Sequence, residues 1–377
     1  MPRLKAFLLN LATVLVTVAL TLIVTEVVLR FLPVAKALPV EPPTAENPIQ
    51  RYVANQPYTW SFDWNMNNVV HGRSNAQGFL ADYDYDADDP RPLVAVVGDS
   101  YIEALRVPFA QSVTGRLQAA LGSRGRAYAF AQSGSPLTQY LAYAQHACTT
   151  YRPARLVVNV VGNDFDESVV THRRRNGIFH LYPKPDGGFD YRLTPLPKPG
   201  LLQRVARHSA LAFYLIRNVG LTNLLDRMGI NFALADQAMP PHVGHTDSDA
   251  NPARVEEGNR VMDWFLGALP EAACLPASDI VLVVDAPRPQ LYDAGALAAV
   301  QSSYFVLMRK RIIAKARARG FKVIDTEPYF IAAYAADHRR FEHPTDGHWN
   351  VHGHEVVTAA LLEALSDWAP LATRDGQ

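Results

Sequence analysis

The sequence predicts an α/β protein built on a parallel sheet, with an apolar helix ahead of it. Five short β-rich runs, at 93–97, 127–131, 155–161, 279–285 and 322–325, read as strands. Two of them, Leu156-Val157-Val158-Asn159-Val160-Val161 and Ile280-Val281-Leu282-Val283-Val284, lack polar alternation, as strands covered on both faces do. Between or after these runs lie longer amphipathic stretches, at 109–121, 138–150, 255–269, 298–319 and 352–366, which read as helices. Strands alternating with helices call for crossover connections and hence a parallel sheet.

In chain order, Ala6 to Thr25 is an uncharged run rich in Leu, Val and Ala. It is long enough to cross roughly 30 Å of hydrocarbon as a helix. Arg3 and Lys5 precede it, which places the N-terminus in the cytoplasm and the chain beyond residue 30 outside. Arg30 and Lys36 on the far side oppose that orientation. A retained anchor, a cleaved signal peptide ending near Ala35-Lys36-Ala37 and a buried core helix all fit the run. Its length, and the charged Glu26 and Arg30 that separate it from the small-residue site, favour the anchor.

Residues 33–57 carry six prolines among polar residues, a composition suited to an extended tether. A short region with Asn75, Gly78 and Phe79 comes next, and then the acidic stretch Asp82 to Asp89, expected as a solvated loop. The main domain starts near Leu93. The chain thus divides into an anchor over 1–31, a tether and lead-in over 32–92, and the α/β domain over 93–370. Within the last, residues 165–250 interrupt the alternation and read as an inserted cap or lid that sets substrate choice. Its Arg173-Arg174-Arg175 run fits a solvated face better than an anion site.

At 377 residues, 49% apolar and 19% charged, the chain can bury one large core or two modest ones. Basic and acidic side chains balance at 36 each, so no overall field recruits nucleic acid. Cys148 and Cys274 sit in no zinc-like spacing; they fit a disulfide in an oxidising compartment or two small buried side chains. No nucleotide-binding glycine loop occurs, and neither a metal nor another cofactor is expected.

The residues that could carry chemistry follow predicted strands, beyond whose carboxyl ends open α/β sheets bind ligands, or lie near the last helix. Ser100 ends Val96-Val97-Gly98-Asp99-Ser100 as a helix begins, so its amide faces any charge developing there. A serine hydroxyl needs a base and its oxyanion needs fixed donors; a helix cap is the alternative role. Gly134 lies in the turn after the second strand, where its amide can approach a ligand closely. Asn163, in Gly162-Asn163-Asp164, follows the third strand and offers a side-chain donor. His348 is the best base in a histidine-crowded segment that includes His343, His352 and His354, with Asp346 two residues before it. His352 and His354 are explained by exposure or capping.

Gly98-Asp99-Ser100, Gly134, Gly162-Asn163-Asp164 and Asp346-x-His348, in this order, resemble blocks I, II, III and V of the SGNH/GDSL hydrolase superfamily. The resemblance covers about residues 93–368 outside the insertion. It implies a flavodoxin-like sheet, with Ser100 as nucleophile, His348 as general base and acid and Asp346 as its orienter. It also implies an oxyanion hole from the Ser100 and Gly134 amides and the Asn163 side chain. Two departures stand out: Thr345 occupies the usual Asp position, and Ala104 stands where many members have glycine. The Asp-x-His-Trp form, continuing through Asn350 and Gly353-His354, is similar to that of alginate O-acetylation proteins. That similarity implies an anchored, periplasm-facing esterase or O-acyltransferase for acetyl groups on an envelope carbohydrate, working with or without partner proteins of a polysaccharide-modification system. A lipase or lysophospholipase, and a catalytically silent polysaccharide-binding or assembly protein, are the competing expectations.

Overall fold

The computed structural model describes residues 2–371 apart from 45, 199, 201–203, 205, 222–241, 244, 245 and 248. The chain forms two compact units, one made of residues 1–37, 58–71 and 198–238 and the other of 38–57, 72–197 and 239–377.

The second unit holds the sheet. Its strands are β1 (Leu93–Gly98), β2 (Arg126–Ala131), β3 (Arg155–Val160), β4 (Ile280–Val284) and β5 (Lys322–Asp325). They run β2-β1-β3-β4-β5 across the sheet, and every pairing is parallel. This is the flavodoxin-like order, whose reversal falls between β1 and β3. Along β1 the side chains alternate between two cores: Leu93, Ala95 and Val97 enter one, Val94 and Val96 the other. The first core is closed by α3 (Leu137–Tyr151), α4 (Pro252–Ala273) and α5 (Tyr304–Ala318), through residues such as Tyr140, Phe265 and Met308. The second is closed by α2 (Val113–Leu121), α6 (Thr326–Asp337) and α7 (Val351–Ala364), through Leu117, Phe330 and Leu361. With apolar side chains needed on both faces, β1 and β4 have no polar alternation, and they are readable in the sequence as uninterrupted runs.

Several expectations are corrected. The 298–319 helix is two, Ala294–Ala299 and α5, because Ser303 caps the second through the Val306 amide. α6 has no counterpart among the helices expected from sequence. Residues 33–57 are not a loose tether: Ile49 joins the first core, and Arg51–Tyr52 pairs antiparallel with Val40–Glu41. The acidic loop is solvated at its carboxylates but anchored by tyrosines. Tyr85 Oη donates to Ala129 O at 2.9 Å and accepts from Ala129 N at 3.0 Å, and Tyr83 Oη donates to Ala127 O. These hydroxyls satisfy backbone groups of β2, the edge strand, which would otherwise be open to pairing.

The 165–250 insertion is not one body. Its first part carries the antiparallel hairpin Phe179–Pro183 with Phe189–Leu193, and Val169, Ile178 and Leu181 are buried in the second unit. Residues 198–238 belong to the first unit. Cys148, in α3, is disulfide-bonded to Cys274, the residue that ends α4 in a left-handed conformation, with a Cα–Cα distance of 5.8 Å.

The first unit gathers around α1 (Pro2–Leu29), which is the one described helix long and apolar enough to cross a membrane. Its apolar side chains are exposed over most of its length. At its end Glu26 accepts from the amides of Ala210 and Leu211 and from Ser209 Oγ, at 3.0, 2.8 and 2.8 Å, holding the short helix Ala210–Phe213 there. Pro57–Phe62 and Asn67–Arg73 pair as a two-stranded sheet.

Candidate active site

β1 ends in Gly98, and the chain turns at once into the short helix Ser100–Glu103. A β-carbon on Gly98 would lie 2.5 Å from Ile102 Cγ1, so only glycine lets this helix fold back so tightly. Asp99 caps the helix by accepting from the Tyr101 amide at 3.0 Å, and Ala104 ends it in the left-handed region at φ 56°. The capping role therefore falls to Asp99 and leaves the Ser100 hydroxyl for other work.

That hydroxyl meets His348. Nε2 of His348 lies 2.7 Å from Ser100 Oγ, closer than Asp99 Oδ2 at 3.3 Å, so the imidazole is the better-placed acceptor for the serine proton. Nδ1 of His348 is bound to Asp346 Oδ1, which also accepts from the His348 amide at 2.9 Å. The second carboxylate oxygen accepts from Arg106 Nε at 2.7 Å. Burial pulls the Asp346 carboxyl upward, but the charge of His348, its hydrogen bond and Arg106 outweigh it and hold Asp346 well below the usual carboxylate range. Asp346 thus reaches the histidine from two residues upstream, because Asp346–Trp349 is extended and carboxylate and imidazole share one side of it.

The strand bearing His348 is braced from β4. Asp285, just past the end of β4, accepts from Trp349 Nε1 at 3.1 Å and pairs with buried Arg288. Arg288 Nη2 donates to Gly347 O at 2.6 Å and to Tyr101 Oη at 2.8 Å, while Tyr101 Oη donates to Gly347 O at 3.2 Å. Tyr101 packs on His348 with ring centroids 4.8 Å apart. The remaining motif residues are structural. Asn350 caps α7 through the Gly353 amide at 3.0 Å, and a β-carbon on Gly353 would lie 2.6 Å from Phe341 O. His354 is buried rather than exposed, and its Nδ1 accepts from the Val113 amide at the start of α2. Burial lowers its pKa to about 3, so it accepts as a neutral ring.

Gly134 and Asn163 leave the sheet on either side of β1. β2 and β3 both pair with β1, in register Gly98↔Ala131 and Val97↔Val158, so the two turns flank the Ser100 corner. Gly134 has φ 71°, and the Arg175 guanidinium occupies the space a side chain would need, with Nη1 donating to Ser133 O at 2.8 Å. Asn163 does not use its side chain to cap the helix Asp164–Glu167 that it begins. Asp164 fixes this turn, accepting from the Val161 amide at 2.8 Å and from Tyr140 Oη at 3.0 Å. Neither Gly134 nor Asn163 is hydrogen-bonded to Ser100 or His348 among the described residues. The triple-arginine expectation is half right: Arg174 is exposed, Arg173 pairs with Glu167, and Arg175 covers Gly134.

Sequence reasoning missed Arg106, Glu103, Asp285 and Arg288. Asp285 carried a signal, since it is polar and stands at a predicted strand end like Gly134 and Asn163. Glu103 is buried one helical turn from Ser100, bound to Tyr52 Oη and Ser133 Oγ, and ties the serine's helix to the Gly134 turn. Among the described residues no group of three or more His, Cys, Asp or Glu is placed to hold a metal ion.

A serine, imidazole and carboxylate in hydrogen-bond line at the carboxyl edge of a parallel sheet are the parts that serine-nucleophile acyl transfer uses. No family model and no curated protein matches the chain. Solved structures do. An α/β hydrolase enzyme from the metagenome of Lake Arreo, Spain, is 14% identical with a TM-score of 0.38, over 77% of this chain and 99% of that one. A lipase/acylhydrolase from Enterococcus faecalis is 11% identical with a TM-score of 0.35, over 73% and 95%. A two-domain esterase active on acetylated mannans, co-crystallised with mannopentaose, is 12% identical with a TM-score of 0.39, over 76% and 51%.

Proposed function

We propose that this chain is a membrane-anchored serine enzyme of the SGNH type, an esterase or O-acyltransferase acting on acyl esters, acetyl foremost, of an envelope carbohydrate. The hydrogen-bond line from Ser100 through His348 to Asp346 is the observation that carries this reading. His348 Nε2 takes the Ser100 proton as Oγ attacks the ester carbonyl, and Asp346, kept ionised beside Arg106, stabilises the imidazolium. Burial raises the Asp99 carboxyl to about 7, with the Tyr101 amide pulling it back. Its Oδ2 lies 3.3 Å from Ser100 Oγ against 2.7 Å for His348 Nε2, so the imidazole is the better-placed acceptor of the serine proton.

The oxyanion is received by the amides of Ser100 and Gly134 and by the Asn163 side chain. His348 then protonates the departing sugar oxygen, leaving the acyl group on Ser100. Water or a second hydroxyl gives its proton to His348 and resolves the intermediate, so hydrolysis and transfer differ only in this last acceptor. The Asp-x-His-Trp form supports a carbohydrate ester. α1 supports a single-pass anchor in the inner membrane, and the Cys148–Cys274 bond supports an oxidising, periplasmic side for the second unit. Partner proteins of a polysaccharide-modification system would supply donor or acceptor in the transfer case.

A lipid ester is the second reading, favoured by the same anchor. The two separate when full-length protein and Ser100→Ala are given acetylated glycan and lysophospholipid side by side. The expected result is Ser100-dependent acetate release or transfer from the glycan. Ser100-dependent turnover of lysophospholipid alone would move the assignment to lipid, and turnover unchanged in Ser100→Ala would remove the serine-enzyme reading altogether.

A further inference from the structure

α1 ends inside a small folded body. Leu29 is buried with Val34 and Ala210, and Met66, Leu211, Phe213 and Tyr214 pack against them. Glu26 binds the start of Ala210–Phe213, and the Tyr214 hydroxyl donates to Trp64 O at 2.9 Å. Asn218 fastens the rest, with its Oδ1 accepting from the Ala35 amide at 3.0 Å and its Nδ2 donating to Ser61 Oγ at 3.0 Å and Asp63 O at 3.1 Å. The turn carrying Trp64 is therefore held at a fixed height above the end of α1.

That height can be read from the sequence. The uncharged stretch ends at Thr25, and Leu29 lies four residues, about 6 Å, beyond it. Headgroup layers add roughly 5–7 Å to each side of the hydrocarbon. Side chains packed on Leu29 thus stand at headgroup depth. Phe31, two residues past Leu29, is 85% exposed, and Trp64, whose carbonyl is bound by Tyr214 of the Leu29 cluster, is 70% exposed. An exposed indole on a turn whose backbone is held, flanked by Asp63 and Asn65, costs solubility in water, yet it suits the zone where an apolar ring and a polar N–H are both satisfied.

We propose that this unit is a membrane-resting collar, with Trp64 and Phe31 inserted among the lipid headgroups beside the exit of α1. The lipid bilayer is its occupant, and the inference rests on α1 spanning the membrane. The collar would add a second attachment beyond the anchor and fix the height at which the chain leaves the surface.

The test uses the full chain reconstituted into phosphatidylcholine vesicles, with and without lipid brominated near the headgroup end of the acyl chains. Tryptophan emission is compared between the wild type and Trp64→Phe, and thermal unfolding by circular dichroism verifies that the variant is folded. Bromination should quench the wild type, and most of that quenching should vanish in Trp64→Phe. Equal quenching of both proteins, while alkaline carbonate fails to extract them, would overturn the collar and leave the anchor standing. Extraction by carbonate would instead overturn the anchor reading on which the collar depends.

Discussion

Ser100, His348 and Asp346 touch in series, so removing each should cost activity in a different way. Ser100→Ala should lower ester turnover by at least about 10³-fold, because it removes the hydroxyl that lies 2.7 Å from His348 Nε2. Asp346→Asn should cost about 10²–10⁴-fold, since an amide can hold the ring but offers the imidazolium no charge. Arg106→Ala should cost less, about 10-fold by loss of one charge-assisted hydrogen bond, with partial rescue in Arg106→Lys. Steady-state kinetics on an aryl acetate reads all three, and an Arg106→Ala enzyme as impaired as Asp346→Asn would contradict a supporting role.

Asp99 gives a pH prediction. Its folded pKa of about 7 lies above the ordinary 3.8, so the folded state holds this proton more tightly than the unfolded chain. Its stabilising effect is complete below about 4 and is lost as pH rises through about 7, at up to about 1.4 kcal/mol for each pH unit crossed in that window. Asp99→Asn keeps an acceptor for the Tyr101 amide, so its unfolding midpoint should fall less between pH 5 and 8 than that of the wild type. Parallel curves would refute this. At this scale the sequence showed Ser100 and His348 because their motifs are local. Arg106 was hidden because its carboxylate, Asp346, lies far away in the chain, and Arg288 because its pairing with nearby Asp285 gives no sign of Gly347, the distant carbonyl that it also holds.

At the scale of elements, the five strands were legible to within a residue or two, β1 and β4 most plainly because burial on both faces leaves an unbroken apolar signature. α6 was not, since Thr326–Asp337 begins immediately after β5 without a loop to mark it. The Pro-rich lead-in misled for a related reason: proline content predicts the lack of backbone donors, not whether Ile49 and Tyr52 find a core. Two elements invite direct tests. Tyr85→Phe should cost about 1–3 kcal/mol in denaturant unfolding, because it strips the hydroxyl that both donates to and accepts from Ala129 at the sheet edge. Replacing Cys148 and Cys274 together by serine should cost about 2–4 kcal/mol, because their bond closes a long loop between α3 and α4. A double variant as stable as the wild type would show that helix packing alone holds these ends.

The whole molecule combines an α/β unit, whose parallel sheet is legible in the sequence, with a unit around α1 whose other segments are not. Residues 58–71 and 198–238 meet in that first unit although more than a hundred residues separate them, and no periodicity announces such a partnership. The α/β unit carries the proposed catalysis, whose defining step is covalent. The full-length protein and its Ser100→Ala variant, mixed with an activated acetyl ester, quenched in acid and digested, can be examined by mass spectrometry for an acetylated peptide. The expected result is an acetyl group on Ser100 in the wild type and none in the variant. Ester turnover that persists in Ser100→Ala, or an acetyl group borne by another residue at the catalytic rate, would contradict it.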